Sequence, residues 1–241
     1  MNFSRNLTNA IRFILDECIP PILRDKKWFM WLPFRVIFGK QSKAFFNFKN
    51  NFNNLDDDEI SKIYKETSSV HFSRLTDLNS KCIKKIMDNI CGEKVLDAGC
   101  GRGFLTNLLK ENHQVTGVDF VKSEHFEINS PNVEFISSSV TKLPFSDNSF
   151  DTVICSHTLE HVKDIHTALS ELRRVCKSNL IIVVPKQRPY KYTFDLHVHF
   201  FPYVYEFKKL VSFNKKFKND YTEVLDGDIY HQEYSGNEDR L

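Results

Sequence analysis

The run VLDAGCGRGFLTNLLK, Val95 to Lys110, joins an apolar strand-like segment ending in an acid to three glycines at alternate positions, and then to a helix-like stretch. A chain that passes from strand to helix through so little side chain brings bare backbone to the carboxyl edge of a sheet, where parallel α/β folds place ligands. Glycine permits unusual φ and close approach of the main chain, and a helix N-terminus attracts negative charge. Spacing separates the possible ligands. A dinucleotide fingerprint, GxGxxG, needs its third glycine where Phe104 stands, whereas Gly99, Gly101 and Gly103 read GxGxG, so nicotinamide and flavin cofactors are disfavoured. A Walker-type phosphate loop is excluded, because no lysine followed by Ser or Thr closes the turn.

The flanking pattern predicts the rest of a sheet. Strands are expected at KVLDAG, QVTGVDF, VEFISS, DTVICS and NLIIVVP, with a helix over Phe104 to Glu111. A long helix is expected where Leu159, Val162, Ile165, Leu169, Leu172 and Val175 recur at steps of three and four. Parallel neighbours need crossovers, so strands alternating with helices imply a doubly wound, mostly parallel sheet. A further helix is expected over Tyr203 to Phe213, and Asp226-Gly227 is a two-residue hairpin signal that adds an antiparallel end to the sheet. Before the core, Leu7, Ile11, Ile14 and Leu15 share a helical face that Pro20-Pro21 ends. Acids at Asp56 to Asp58 suit another helix start, and a last helix is expected over Thr76 to Asn89. The organisation predicted is an α/β core over residues 91–241 with an N-terminal helical cap over residues 1–90.

Composition narrows the setting more than the activity. A net charge of +2 with 27% charged residues gives no global field for nucleic acid, so no nucleic-acid partner is expected. Six scattered cysteines without a CxxC pair, and no secretory leader pattern, read as reduced thiols of a cytoplasmic protein, with no metal site. The longest apolar stretch, WFMWLPFRVIF, is about half the length a membrane span needs and contains Pro33 and Arg35.

The blocks VLDAGCGRG, VTGVDF, LPFSDNSFDTVICSHTLEHV and ELRRV, in that order, resemble the class I S-adenosylmethionine-dependent methyltransferases, within the subgroup that includes quinone-type and many small-molecule or glycan enzymes. The resemblance covers about residues 93–185 and implies a Rossmann-like, seven-stranded core with S-adenosyl-L-methionine as cofactor. It implies that Asp97, Gly99, Cys100, Gly101 and Gly103 surround the methionyl part, that Asp119 accepts from both ribose hydroxyls, and that Phe120 lies beside the adenine. Ser139 and Val140 fall where many relatives carry an acid for the adenine amino group, a departure that weakens that contact. Ser156, at the end of the fourth core strand, completes the expected cofactor set.

Methyl transfer from a sulfonium mainly requires positioning, and a general base is needed only for a hydroxyl or protonated amine acceptor. Candidate bases are His157 and His161 after the fourth strand and His197 and His199 after the fifth; His161, in LEHV, matches a histidine common in the subgroup. Glu160 and His161 imitate part of a metal set found in some relatives, without a third ligand in the sequence, so no metal is expected. The acceptor expected is an oxygen of a small molecule, sugar or lipid-linked precursor. By family analogy the cap sets specificity, with Arg74 to Asn79 lining a lid. The aromatic and cationic residues 22–46 could instead rest on a membrane surface. A non-catalytic, methyltransferase-like scaffold is the alternative, and oligomeric state is not legible.

Overall fold

A computed structural model of the chain describes residues 11, 13–67, 76–123, 126 and 130–236. Leu7 of the expected first helix, and Arg74 and Leu75 of the expected lid segment, lie outside these residues. The chain divides into two units, Met1–Arg74 with Arg188–Val198, and Leu75–Gln187 with His199–Leu241.

The larger unit is built on a seven-stranded sheet. Its strands are β1 (Lys94–Ala98), β2 (Gln114–Asp119), β3 (Val133–Ser137), β4 (Phe150–Ser156), β5 (Cys176–Pro185), β6 (Asn219–Leu225) and β7 (Asp228–Tyr234), in the order β3-β2-β1-β4-β5-β7-β6. The first five are parallel, and β7 runs antiparallel to both β5 and β6. The α/β, mostly parallel sheet with a terminal hairpin is thus as expected. Apolar side chains cover both faces of its central strands. One layer gathers Leu96, Val153, Ile182 and the helix Ile165–Val175; the other gathers Val95, Ile154, Ile181 and the helix Ser80–Asn89. The hairpin turns through Asp226 at φ +45° and Gly227 at φ +90°, the left-handed pair that a type I′ turn requires.

Element ends differ from the sequence expectations, with identifiable causes. The long helix expected from Leu159 is a 3-10 turn, Leu159–His161, then an extended Val162, then a helix Ile165–Val175. Asp164 makes the new start, accepting from the backbone N–H of His166 and Thr167 at 3.1 and 3.0 Å. A 3-10 turn also repeats every third residue, so Leu159 and Ile165 stay inside and the apolar spacing survives the break. The helix expected from Thr76 starts at Ser80, because Asn79 caps it by accepting from the Cys82 N–H at 2.8 Å. The helix expected over Tyr203 to Phe213 is shorter, Val204–Val211.

In the smaller unit the described chain forms a π turn, Ile14–Cys18, and helices Pro21–Arg24, Lys27–Phe38, Ser42–Asn51 and Asp57–Thr67. Pro21 does more than stop a helix: it occupies the first turn of the next one, where its missing N–H costs nothing. Asp56 and Glu59 cap the last of these helices reciprocally, at 2.8 and 2.9 Å. Residues 188–198, late in sequence, belong here through aromatic packing. Phe194 lies 4.6 Å from Phe34 and Tyr192 lies 4.8 Å from Phe46, while the Arg24 guanidinium sits 4.5 Å over the Tyr190 ring. Among the described residues no helix is long and apolar enough to cross a membrane.

Candidate functional site

The site grows from the carboxyl ends of β1, β2 and β4. In this strand order β1 is flanked by β2 on one side and β4 on the other, so the crossovers leave in opposite directions and open a crevice above β1. The loop after β1 stays sewn to β2, since the N–H groups of Gly99 and Cys100 both donate to the Val118 carbonyl, at 2.7 and 2.9 Å. The loop then turns into the helix Phe104–Leu109, with Gly103, packed against the Phe126 ring, at its N-cap.

Two of the glycines answer different demands. Gly99, at φ +79°, leaves room for Thr158: a Cβ there would fall 2.0 Å from the threonine Oγ1. Thr158 is the site residue sequence reasoning missed. Its hydroxyl donates to the Ser156 carbonyl at 3.0 Å, but nothing in its local sequence signals that a glycine 59 residues earlier must make way for it. Gly101, at φ +52°, would meet nothing within 4 Å if given a Cβ. Its bareness is a matter of backbone conformation and of open space above the loop.

The two carboxylates are connected through this loop. Asp119 accepts from the Gly101 N–H at 2.8 Å and from the Val121 N–H at 3.2 Å, so the residue at the end of β2 holds the tip of the glycine turn. Burial pushes its carboxyl up from the usual range, and the backbone donors pull it back. Asp97, at 1% exposure, accepts from the Thr106 hydroxyl at 2.6 Å through Oδ2. Its Oδ1 has no hydrogen-bond partner among the described residues. Burial, opposed by the Thr106 hydrogen bond and assisted by the Asp119 charge, pushes the Asp97 carboxyl up to about 6.

An unsatisfied buried carboxylate oxygen is costly unless a donor comes to it. The fit to a ligand carrying an ammonium group and ribose hydroxyls therefore rests on three features: the orphan oxygen of Asp97, the open space over Gly101, and the acceptor pair of Asp119. This arrangement sets a pH dependence. A cationic ligand at Asp97 must displace a proton below about pH 6, so the affinity for S-adenosylhomocysteine, measured calorimetrically, is expected to be flat above about pH 7. It should fall about ten-fold per pH unit below about 6, and Asp97→Asn should flatten the profile. In the free chain the sign is that of a raised acid. Its unfolded value is 3.8, so the stability contribution is largest below that and is lost as pH rises through about 6.

The remaining expected cofactor residues are placed as follows. Cys100 is buried, and burial pushes its thiol up, so it serves as a small hydrophobe. The Phe120 carbonyl accepts from the Ser137 hydroxyl at 3.3 Å. Ser139 is engaged locally: its hydroxyl lies 2.8 Å from that of Thr141 and accepts from the Thr141 N–H at 3.2 Å. Val140 is buried in the core, and half-buried Ser156 ends β4.

The four histidines expected as bases have different surroundings. His157 takes a left-handed φ of +48° directly after β4, and its N–H donates to Val183 at 2.9 Å. Its ring stands between two buried acids, Nδ1 3.5 Å from Glu160 and Nε2 3.4 Å from Asp228. Burial opposes its charge, but the two carboxylates prevail and push it up to about 10. A ring already protonated at neutral pH cannot accept a proton, which argues against the sequence expectation of a base here. Asp228 is anchored in turn by the Asn79 amide at 2.8 Å; Asn79, expected on a lid, is 4% exposed and spends both ends of its side chain inside this unit.

His161 is half-buried in the 3-10 turn after β4. His199 is held at both ends, its N–H donating to the Glu160 carbonyl at 3.1 Å and its Nε2 lying 2.8 Å from the Val162 carbonyl. A carbonyl only accepts, so Nε2 carries the hydrogen and Nδ1 is the basic nitrogen of the neutral ring. His197 belongs to the smaller unit, where its Nδ1 lies 3.3 Å from Asp195. A fifth histidine nearby, His166 in the helix Ile165–Val175, is exposed and packs edge-on to Phe213.

Comparison with known proteins agrees with this architecture. Residues 96–184 match a family model described as a methyltransferase domain. An uncharacterized protein of Methanocaldococcus jannaschii is 38% identical over 93 residues, which are 37% of this chain and 40% of that protein. The demethylmenaquinone methyltransferase of Staphylococcus aureus is 32% identical over 133 residues, 52% of this chain and 55% of that protein. The chain thus matches about half, or less, of the length of these curated relatives. Among solved structures, the Burkholderia thailandensis 1,6-didemethyltoxoflavin-N1-methyltransferase, with 1,6-didemethyltoxoflavin and S-adenosylhomocysteine bound, aligns with a TM-score of 0.57 at 17% identity. That alignment covers 75% of this chain and 87% of that one, and it speaks for the fold. The sheet order and the glycine turn agree with the match of residues 96–184 to the methyltransferase-domain model, which supports an S-adenosylmethionine-dependent methyltransferase core.

Proposed function

We propose that this chain transfers a methyl group from S-adenosylmethionine to an oxygen of a small molecule, sugar or lipid-linked precursor. The observation that carries the reading is the buried, unsatisfied Oδ1 of Asp97 beside a bare loop that Asp119 tethers. The cofactor supplies an electrophilic methyl on a sulfonium. Asp97 receives the methionyl ammonium, Gly99 to Gly103 bring main chain against the amino-acid end, and Asp119 accepts from the ribose hydroxyls while still holding Gly101. Phe120, Val140 and Ser156 line the cofactor's flank, and Ser139 offers the adenine a hydroxyl in place of a charge.

His199 is the base the geometry favours. Its ring is fixed by the Val162 carbonyl, leaving Nδ1 to take a proton from an acceptor hydroxyl, whereas His157 is held as a cation. Two relatives named for demethylmenaquinone and 1,6-didemethyltoxoflavin support a small-molecule acceptor. The first test is calorimetric titration with S-adenosylhomocysteine: no binding at millimolar concentration rejects the enzyme reading. The second is acceptor profiling with a radiolabelled methyl donor. With the acceptor found, His199→Gln is expected to lower kcat about a hundred-fold with cofactor affinity unchanged; an unchanged kcat assigns the base elsewhere.

The engagement of Ser139 by Thr141 favours a second reading, a scaffold that keeps the fold without the chemistry. Purified protein that retains cofactor through gel filtration excludes it.

A further inference from the structure

We propose that the outer face of the helix Lys27–Phe38 docks on the surface of an anionic lipid bilayer. The inference does not rest on the methyl-transfer reading. This helix is apolar around most of its circumference. Met30, Phe34 and Phe38, four residues apart, point inward and are at most 6% exposed. Trp28, Leu32 and Val36, also four apart, form a stripe at 70%, 68% and 62% exposure. Ile22 at 73% and Trp31 at 40% add to it. A soluble helix buries one apolar stripe and turns charge to water; this one leaves a second apolar stripe uncovered.

Charge identifies the occupant. Residues 26–55 contain six of the 33 basic residues and none of the 31 acids, so the remainder of the chain carries 27 basic residues against those 31. Lys26 and Lys27 start the helix, Arg35 lies beside the stripe, and Lys40 and Lys43 follow; all five are exposed. Tryptophan and leucine on one face with lysine and arginine around them suit the headgroup boundary, where rings enter the acyl edge and cations meet anionic phosphates. A second copy of the chain fits less well. Its own acid-free stretch would oppose like charge with like, and interface cores are depleted in lysine. A helix of 12 residues, about 18 Å long, lies in the surface and does not span it.

The test is co-flotation of the full chain with vesicles of phosphatidylcholine and phosphatidylglycerol, alongside vesicles of phosphatidylcholine alone. Flotation with the anionic vesicles only is expected, weakened by salt as the Debye length shrinks from about 10 Å at 0.1 M to about 3 Å at 1 M. Trp28→Ser with Leu32→Ser and Val36→Ser should weaken partitioning at least about ten-fold, and Lys26→Glu with Lys27→Glu should do so independently. Because these side chains are exposed, both variants should keep the thermal transition and the S-adenosylhomocysteine affinity of the parent. The proposal is overturned by failure to float with anionic vesicles, or by flotation that neither variant alters. It is equally overturned if sedimentation velocity finds a dimer that the serine variant dissolves and the vesicles do not bind the parent. A chain that floats but binds no S-adenosylhomocysteine would sink the enzyme reading alone.

Discussion

Asp119→Ala is expected to weaken S-adenosylhomocysteine binding by about a hundred- to ten-thousand-fold while leaving a cooperative fold. The magnitude follows from hydrogen bonds to an ionised acceptor, about 1.5–3 kcal/mol each, with two ribose hydroxyls losing their partner. A second loss reinforces it, because Asp119 also holds the Gly101 N–H, and the loop tip goes free when the carboxylate is removed. Asp119→Asn separates the two effects. Its amide oxygen can still take the Gly101 N–H, so the loop keeps its place, and binding should fall less than in the alanine variant. Equal affinities of parent and alanine variant in calorimetry would show that the ligand does not use this carboxylate.

His157→Leu is expected to destabilise the protein by about 3–5 kcal/mol near neutral pH, read from the denaturant midpoint at constant m. The histidine is the cation between Glu160 and Asp228, which are 0% and 3% exposed; without it two buried carboxylates lose the positive charge that stands between them. The pH dependence carries the sign. The ring's pKa is raised from 6.5 to about 10 on folding, so its contribution is fully present below about 6.5 and is lost as pH rises through about 10. The gap between parent and variant should therefore narrow on the alkaline side. A gap that is constant from pH 6 to 10 would mean the ring is neutral in the folded chain, and would restore His157 as a base.

How far the sequence could be read varies along the chain for physical reasons. The sheet was legible because parallel strands buried on both faces leave apolar runs: β5 has the longest, Leu180 to Val184, and β4 a shorter one, Val153 to Cys155. The hairpin was legible because Asp226-Gly227 meets a local stereochemical demand. The break at Val162 was not, because a 3-10 turn and an α-helix give similar spacing over three residues. Of the site, the glycines, Asp97 and Asp119 were visible as types at a spacing, but the hydrogen bond from Gly101 to Asp119 spans 18 residues and belongs to the sheet register, not to either segment.

By itself the sequence determined the alternation of strand and helix, the bare turn after β1, the hairpin, and the acid-free, aromatic character of residues 26–55, all properties of neighbours along the chain. Only the tertiary structure decided that residues 188–198 pack with the N-terminal helices and that Thr158 fills the space Gly99 leaves. It also decided that His157 is a cation and that the Val162 carbonyl orients the His199 ring. Protonation state and fit are set by groups that the fold brings within a few ångströms, from positions up to 71 residues apart for His157 and Asp228, and no local pattern encodes that proximity.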